Sequence, residues 1–224
     1  MEPGPAQDSS RAGTGEDGRK AMYVTIRKYA GKGGLMDRLV PPVRDGLVPL
    51  LKQAPGFKGY CAFASEDGHV VSVSVFDDRE AATRANEQVR GWVVSNLGEL
   101  LPNLPEVLAG EALLHDVSKL QSGGGDMFAT VRVYDGVLPK EEAVRITREH
   151  ALPLVTGAPG FRGFYALRDE ADPDRAVSVT LLDTRQEALR SHEEVVAIMR
   201  ERLGEMAYGT PRVAMGETVV LATA

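Results

Sequence analysis

Two arginines stand inside short alternating runs: Arg27 in Tyr23-Val24-Thr25-Ile26-Arg27-Lys28-Tyr29 and Arg132 in Phe128-Ala129-Thr130-Val131-Arg132-Val133-Tyr134. A guanidinium is always charged, so one projecting from a strand is suited to hold a developing phenolate or enolate oxygen. Tyr29 and Tyr134 share its strand face and could donate to a substrate carbonyl. Thr25 and Thr130, with Ser72, Ser74, Ser178 and Thr180, would give the pocket a small, partly polar wall. His192, on a helical stretch, is a candidate base near neutral pH. Asn86 takes the corresponding place in the first part of the chain, and Trp92, the sole tryptophan, lies on the same stretch as Asn86. The candidate set is therefore His192, Arg132 and Arg27 for chemistry, with Tyr29, Tyr134, Thr25, Thr130, Asn86 and Trp92 against the substrate.

Each candidate also has a plain packing explanation. Either arginine could pair with Glu111 or Glu217, the tyrosines could cap strand ends, His192 could be a surface histidine, and Trp92 sits at core spacing.

The correspondence between Asn86 and His192 comes from an internal repeat. Ala54-Pro55-Gly56-Phe57-Lys58-Gly59-Tyr60 returns as Ala158-Pro159-Gly160-Phe161-Arg162-Gly163-Phe164, 104 residues later. Val71-Ser72-Val73-Ser74-Val75 returns as Val177-Ser178-Val179-Thr180-Leu181, and Gly110-Glu111 as Gly216-Glu217, each 106 residues later. One unit is written twice. We expect a tail at 1–20, a first module at 21–115, a linker at 116–126 carrying Gly123-Gly124-Gly125, and a second module at 127–224.

Within each copy the hydrophobic period changes in a fixed order. The alternating run predicts a strand whose one face holds Val24 and Ile26, or Ala129 and Val131. A helical stripe follows: Val40, Val43, Leu47, Leu50 and Leu51 in the first copy, with Pro139-Lys140-Glu141-Glu142 opening its counterpart. Pro41-Pro42 should start or break the first of these helices. Two strands come next, 57–64 and 69–77, then 161–168 and 175–182; the first pair turns at Asp67-Gly68, a hairpin signal. Asp77-Asp78 and Asp183-Thr184 offer capping oxygens to a long helix in each copy. A strand at 106–114 or 212–221 closes each unit. The order β-α-β-β-α-β is the ferredoxin-like split βαβ, an α+β unit with both helices on one sheet face. Two such units can cover their bare faces with each other, which predicts an intramolecular α/β barrel with helices outside.

Composition narrows the function classes. A net charge of −6 and a pI near 5.3 lack the basic footprint of a nucleic-acid surface. No apolar run reaches the length of a membrane span. The single cysteine, Cys61, rules out an internal disulfide framework and fits a reducing cytoplasm. The tail lacks an apolar export core. The four histidines show no metal-ligand spacing, and neither a dinucleotide nor a Walker fingerprint is present. We therefore expect no metal and no cofactor.

The β-α-β-β-α-β unit with Pro-Gly-Phe-x-Gly-Phe/Tyr before its second strand, Val-Ser-Val-x-x-x-Asp after it and a terminal Gly-Glu strand resembles the antibiotic biosynthesis monooxygenase (ABM) domain. That family belongs to the dimeric α/β-barrel superfamily. The resemblance covers about 22–115 and 127–222 and implies a fused version of a homodimer, with further oligomerisation open. It implies cofactor-independent oxidation of a small aromatic or polyketide-type molecule. A non-catalytic binding or scaffold module and a cofactor-free cyclase are the alternatives. Haem-degrading relatives use an Asn, a Trp and a His around the haem; that set does not map onto either copy here.

Overall fold

The computed structural model describes residues 22–120, 127–136, 139–203 and 210–224. The expected tail and the glycine stretch of the expected linker lie outside these residues. The first half contains β1 (Tyr23–Tyr29), α1 (Met36–Pro42), α2 (Val48–Gln53), β2 (Phe57–Ala64), β3 (Val70–Phe76), α3 (Arg79–Leu97) and β4 (Glu106–Asp116). The second repeats the order with β5 (Phe128–Tyr134), α4 (Lys140–Ile146), α5 (Leu152–Gly157), β6 (Phe161–Arg168), β7 (Ala176–Leu182), α6 (Arg185–Leu203) and β8 (Arg212–Thr223).

The eight strands close into one antiparallel barrel in the order β1-β3-β2-β8-β5-β7-β6-β4. Each half supplies a four-stranded sheet, and the halves meet at β2–β8 and β4–β6. Strand alternation sends Val24, Ile26, Val73, Ala129, Val131 and Val179 into the barrel, where one apolar core fills the interior. The opposite faces carry Tyr23, Phe76 and Tyr134 out beneath the helices. The α+β barrel of two ferredoxin-like units expected from the repeat is thus the fold, with edge-to-edge hydrogen bonding added to the burial of the inner faces.

Both seams depend on the repeated Gly-Glu pair. A Cβ on Gly110 would collide with the Arg168 carbonyl, and one on Gly216 with the Ala64 carbonyl. There the backbone of one half crosses the other: Glu170 N–H donates to Ala109 O, and Glu66 N–H to Met215 O, each at 2.8 Å. This crossing carries β4 and β8 two residues further than their hydrophobic pattern predicts.

The first helical stripe of each half is one run interrupted by a π-helical stretch, at Val43–Leu47 and at Thr147–Ala151. Pro49 and Pro153 lie just beyond these stretches and cannot donate to the carbonyl four residues back; the wider turn accommodates the missing bond. Pro41 and Pro42 are the last two residues of α1, and the helical run continues past them into the π-helical stretch. The carbonyls they leave without a donor belong to Asp37 and Arg38, which are exposed to water.

The long helices start as the sequence predicts. Ala81 N–H donates to Asp78 Oδ1 at 2.8 Å. Glu187 N–H donates to Thr184 Oγ1, whose hydroxyl in turn donates to Glu187 Oε2 at 2.9 Å. The Asp67-Gly68 turn differs from a two-residue hairpin. Only Gly68 has positive φ, +85°, and Ser65 N–H donates to His69 O, so the loop is longer and places its glycine at the left-handed position. Among the described residues no helix is long and apolar enough to cross a membrane.

Candidate functional site

Between the helices and the outer sheet face of each half lies a narrow cleft. Its enclosed space is small, about 40 Å³ in the first half and about 50 Å³ in the second, and widens toward an open mouth. The clefts are equivalent: Arg27 and Tyr29 line the first, Arg132 and Tyr134 the second. Each also borrows a wall residue from the other half's last strand, Val220 in the first and Leu114 in the second. Neither cleft exists without the barrel.

In the first half Arg27 is held by neutral groups. Its Nη2 donates to Asn86 Oδ1 at 2.6 Å and its Nη1 to Ser74 Oγ at 3.4 Å. Asn86 Nδ2 in turn donates to Thr25 Oγ1 at 3.3 Å. The amide serves both neighbours because it owns an acceptor and a donor. Burial lowers the Arg27 pKa, the nearby Tyr29 and Tyr60 opposing the shift.

In the second half a histidine replaces that amide. Arg132 Nε donates to His192 Nδ1 at 3.0 Å, and Arg132 Nη1 to Thr180 Oγ1 at 2.9 Å. The ring accepts through Nδ1, so its neutral form carries the proton on Nε2. Desolvation, then the positive charge of Arg132, push the His192 pKa down to about 4. The imidazole is thereby neutral at pH 7, a weak base with its free lone pair already engaged. Among the described residues no bond from His192 to Thr130 repeats the one that Asn86 gives Thr25. Thr130 Oγ1, Arg132 Nη2 and Ser191 Oγ are buried and have no hydrogen-bond partner among the described residues.

Neither arginine forms an ion pair with Glu111 or Glu217 among the described residues. Register explains why: Glu111 stands opposite Tyr23, while Arg27 stands opposite Val107. Four residues along a strand are about 13 Å, beyond any direct contact. The second half repeats this, with Glu217 opposite Phe128 and Arg132 opposite Val213. Arg132, with 0% of its surface exposed, is a buried cation with no carboxylate of the described residues beside it. Burial of this kind is costly unless the charge is paired.

The helical roofs differ as well. Leu39, Val43, Leu47 and Leu51 of the first half are matched by Ala143, Thr147, Ala151 and Val155 of the second. Met199 in place of Val93 returns some of the lost bulk. The second roof is thus made of smaller side chains and includes a hydroxyl. Comparing the copies at the 104-residue offset carries this signal, which a reading confined to polar residues passes over. Ser191 is missed for a similar reason: nothing distinguishes it from an exposed helix serine.

The structure therefore gathers Arg27, Thr25, Asn86 and Ser74 into one cluster, and Arg132, His192 and Thr180 into the other. The arginines and tyrosines line the clefts; Asn86 and His192 stand behind the arginines and hold them. Trp92 is outside the lining and packs against the first helical run, where a Cβ on Gly46 would lie 2.6 Å from its ring.

Comparison by sequence finds no matching family model and no matching curated protein. Solved structures do match in fold. A presumed monooxygenase from Fusobacterium nucleatum superposes with a TM-score of 0.72 at 12% identity, covering 91% of this chain and 94% of that one. An anthrone oxidase-like protein gives 0.57 at 13% identity, covering 92% and 94%. The chlorite dismutase from Candidatus Nitrospira defluvii in complex with imidazole gives 0.60 at 11%, covering 89% and 91%. The chain shares with these proteins the fold of a closed eight-stranded antiparallel barrel with helices outside.

Proposed function

We propose that the second-half cleft binds a small aromatic or polyketide-type molecule through an ionised phenol or enol oxygen on Arg132. On this reading the protein is a monooxygenase that lets O₂ react with the bound anion. One observation carries the proposal: among the described residues Arg132 is a fully buried guanidinium with no carboxylate neighbour, and its Nη2 has no partner there. A ligand oxyanion would supply both the missing charge and the missing acceptor. The likeness in fold to an anthrone oxidase-like protein and a presumed monooxygenase supports the same class. Residues 21–115 and 127–224 act in this reading as two modules that complete one barrel within a single chain.

The chemistry asks little of the protein beyond binding. Arg132 lowers the free energy of the ionised substrate, so its proton leaves to water through the cleft mouth. The electron-rich carbanion then reduces and combines with O₂. For an anthrone-type methylene, one oxygen atom becomes the new carbonyl and the other departs as water with the two methylene hydrogens. His192 fixes the guanidinium plane through Nδ1 and is a positioning residue. Tyr134 lines the same cleft wall.

Oxygen consumption with an anthrone and with a hydroquinone tests this. Uptake matched by quinone formation in the intact protein, and its loss in Arg132→Met, is the expected result. Tight binding without uptake would leave a binding module, which the engaged lone pair and low pKa of His192 also fit. Uptake that survives Arg132→Met would overturn the assignment.

A further inference from the structure

We infer that the first-half cleft is a second ligand site, one that takes an aliphatic carboxylate in an extended or gently bent form. Two features of this half point to the ligand. Its floor holds Arg27, which lines the cleft and whose described partners are the neutral side chains of Ser74 and Asn86. Its N–H groups beyond those two bonds remain to serve a second acceptor, and no carboxylate of the described residues supplies one. A carboxylate matches a guanidinium in charge and in the spacing of its two oxygens.

The roof selects the remainder of the molecule. Leu39, Val43, Leu47, Leu51, Val89 and Leu97 face the ligand space together with Met36, and all but the methionine are branched aliphatic side chains. Aromatic rings enter the lining only at Tyr29 and Tyr60, on the sheet side with Arg27. A hydrocarbon chain conforms to the irregular gaps between branched side chains, whereas a rigid fused ring needs a flat slot. The second half has a slimmer roof, with Ala143 and Ala151 in place of Leu39 and Leu47, so the two clefts are built for ligands of different shape.

The protein contains its own reporter. Trp92, the only tryptophan, rests on Gly46, midway along the π-helical stretch between Val43 and Leu47, which line this cleft. A ligand beneath those residues alters the packing of the indole; a ligand in the second half does not.

The test is titration of the full chain with sodium decanoate below its micelle concentration, read by tryptophan emission and by calorimetry. We expect saturable binding that perturbs Trp92. Arg27→Met should weaken it roughly tenfold to a hundredfold, the range for a hydrogen bond to a charged group, while Arg132→Met leaves it within about twofold, as distant sites act independently. Decanol should bind more weakly than decanoate, and so should 2-naphthoate. Leu47→Phe, which fills the roof and spares the charge, should also weaken binding and serves if Arg27→Met does not fold. Absence of binding by both readouts overturns the inference. So does binding that follows Arg132 instead of Arg27, or a preference for the alcohol or the fused-ring acid. No oxygen chemistry enters the assay, so its outcome is separate from that of the monooxygenase reading.

Discussion

At the barrel seams the two halves are interchangeable, and under the helices they are not. Glu170 N–H reaches Ala109 O as Glu66 N–H reaches Met215 O, and Arg79 meets Glu170 as Arg185 meets Glu66. Beneath the helices one half holds its guanidinium with an amide that satisfies its neighbours. The other uses a histidine, and Thr130 Oγ1 and Arg132 Nη2 have no partners among the described residues. Closure of the barrel constrains both halves equally, because each provides one strand of each seam. No such constraint links the clefts, so they are free to diverge in chemistry. The unsatisfied half is the one we assign to reaction.

Exchanging the arginines one at a time breaks this contrast most severely. Arg132→Met should lower oxygen uptake roughly 10²- to 10³-fold, the size expected when a preorganised oxyanion donor is lost. Arg27→Met should alter it less than about threefold. Steady-state oxygen-electrode measurements on both variants decide the matter; equal losses would erase the distinction between the halves.

The seams supply the opposite control. Gly110→Ala and Gly216→Ala each force a methyl group into a carbonyl of the other half and should cost about 1–3 kcal/mol apiece. Denaturant unfolding should return similar values for the two. A large inequality would show that the halves do not bear on the scaffold alike.

A gentler change writes one roof onto the other. Ala143→Leu with Ala151→Leu gives the second cleft the packing that Leu39 and Leu47 give the first. We expect about a tenfold loss in affinity for a hydroxyanthraquinone, near 1.4 kcal/mol, with the fold retained. Unchanged affinity would put the ligand elsewhere.

His192→Asn makes the second cluster resemble the first, and its effect appears in the pH dependence of stability. The folded-state pKa of His192 lies near 4, below its ordinary 6.5. Between these values the unfolded chain binds a proton that the folded protein does not, so stability falls as pH drops from about 6.5 to 4 and is level above. The group is partly exposed, and after allowance for solvent screening the change is about 1 kcal/mol. The asparagine variant should lose this slope in urea melts at pH 7 and pH 4.5.

Much of the molecule is legible in the chain. Alternation in the first strand of each copy sends Val24 and Ile26 inward and Arg27 outward under the helices, as it does for Ala129, Val131 and Arg132. The repeat offset pairs Asn86 with His192, and both do meet the arginines. Features set by long-range pairing are harder to read. The last residues of β4 and β8 are strands because β6 and β2 bond to them, and no local pattern announces a partner in the other half. The neutrality of both arginine clusters is equally hidden. Sequence places acids on neighbouring strands, and only register reveals that Glu111 and Glu217 stand four residues out of reach. The π-helical stretches show in sequence only through Pro49 and Pro153, which also suit an ordinary kink.

The most direct test of the account is the ionisation of a bound phenol. A hydroxyanthraquinone changes its visible absorption when it loses its proton, so the bound ligand reports its own pKa. We predict that in the intact protein this pKa falls by at least about one unit, as a carboxylate or phenol does beside a guanidinium. It should return toward the solution value in Arg132→Met and stay lowered in Arg27→Met. A bound ligand whose pKa is unshifted, or shifts equally in the absence of Arg132, would contradict the central claim.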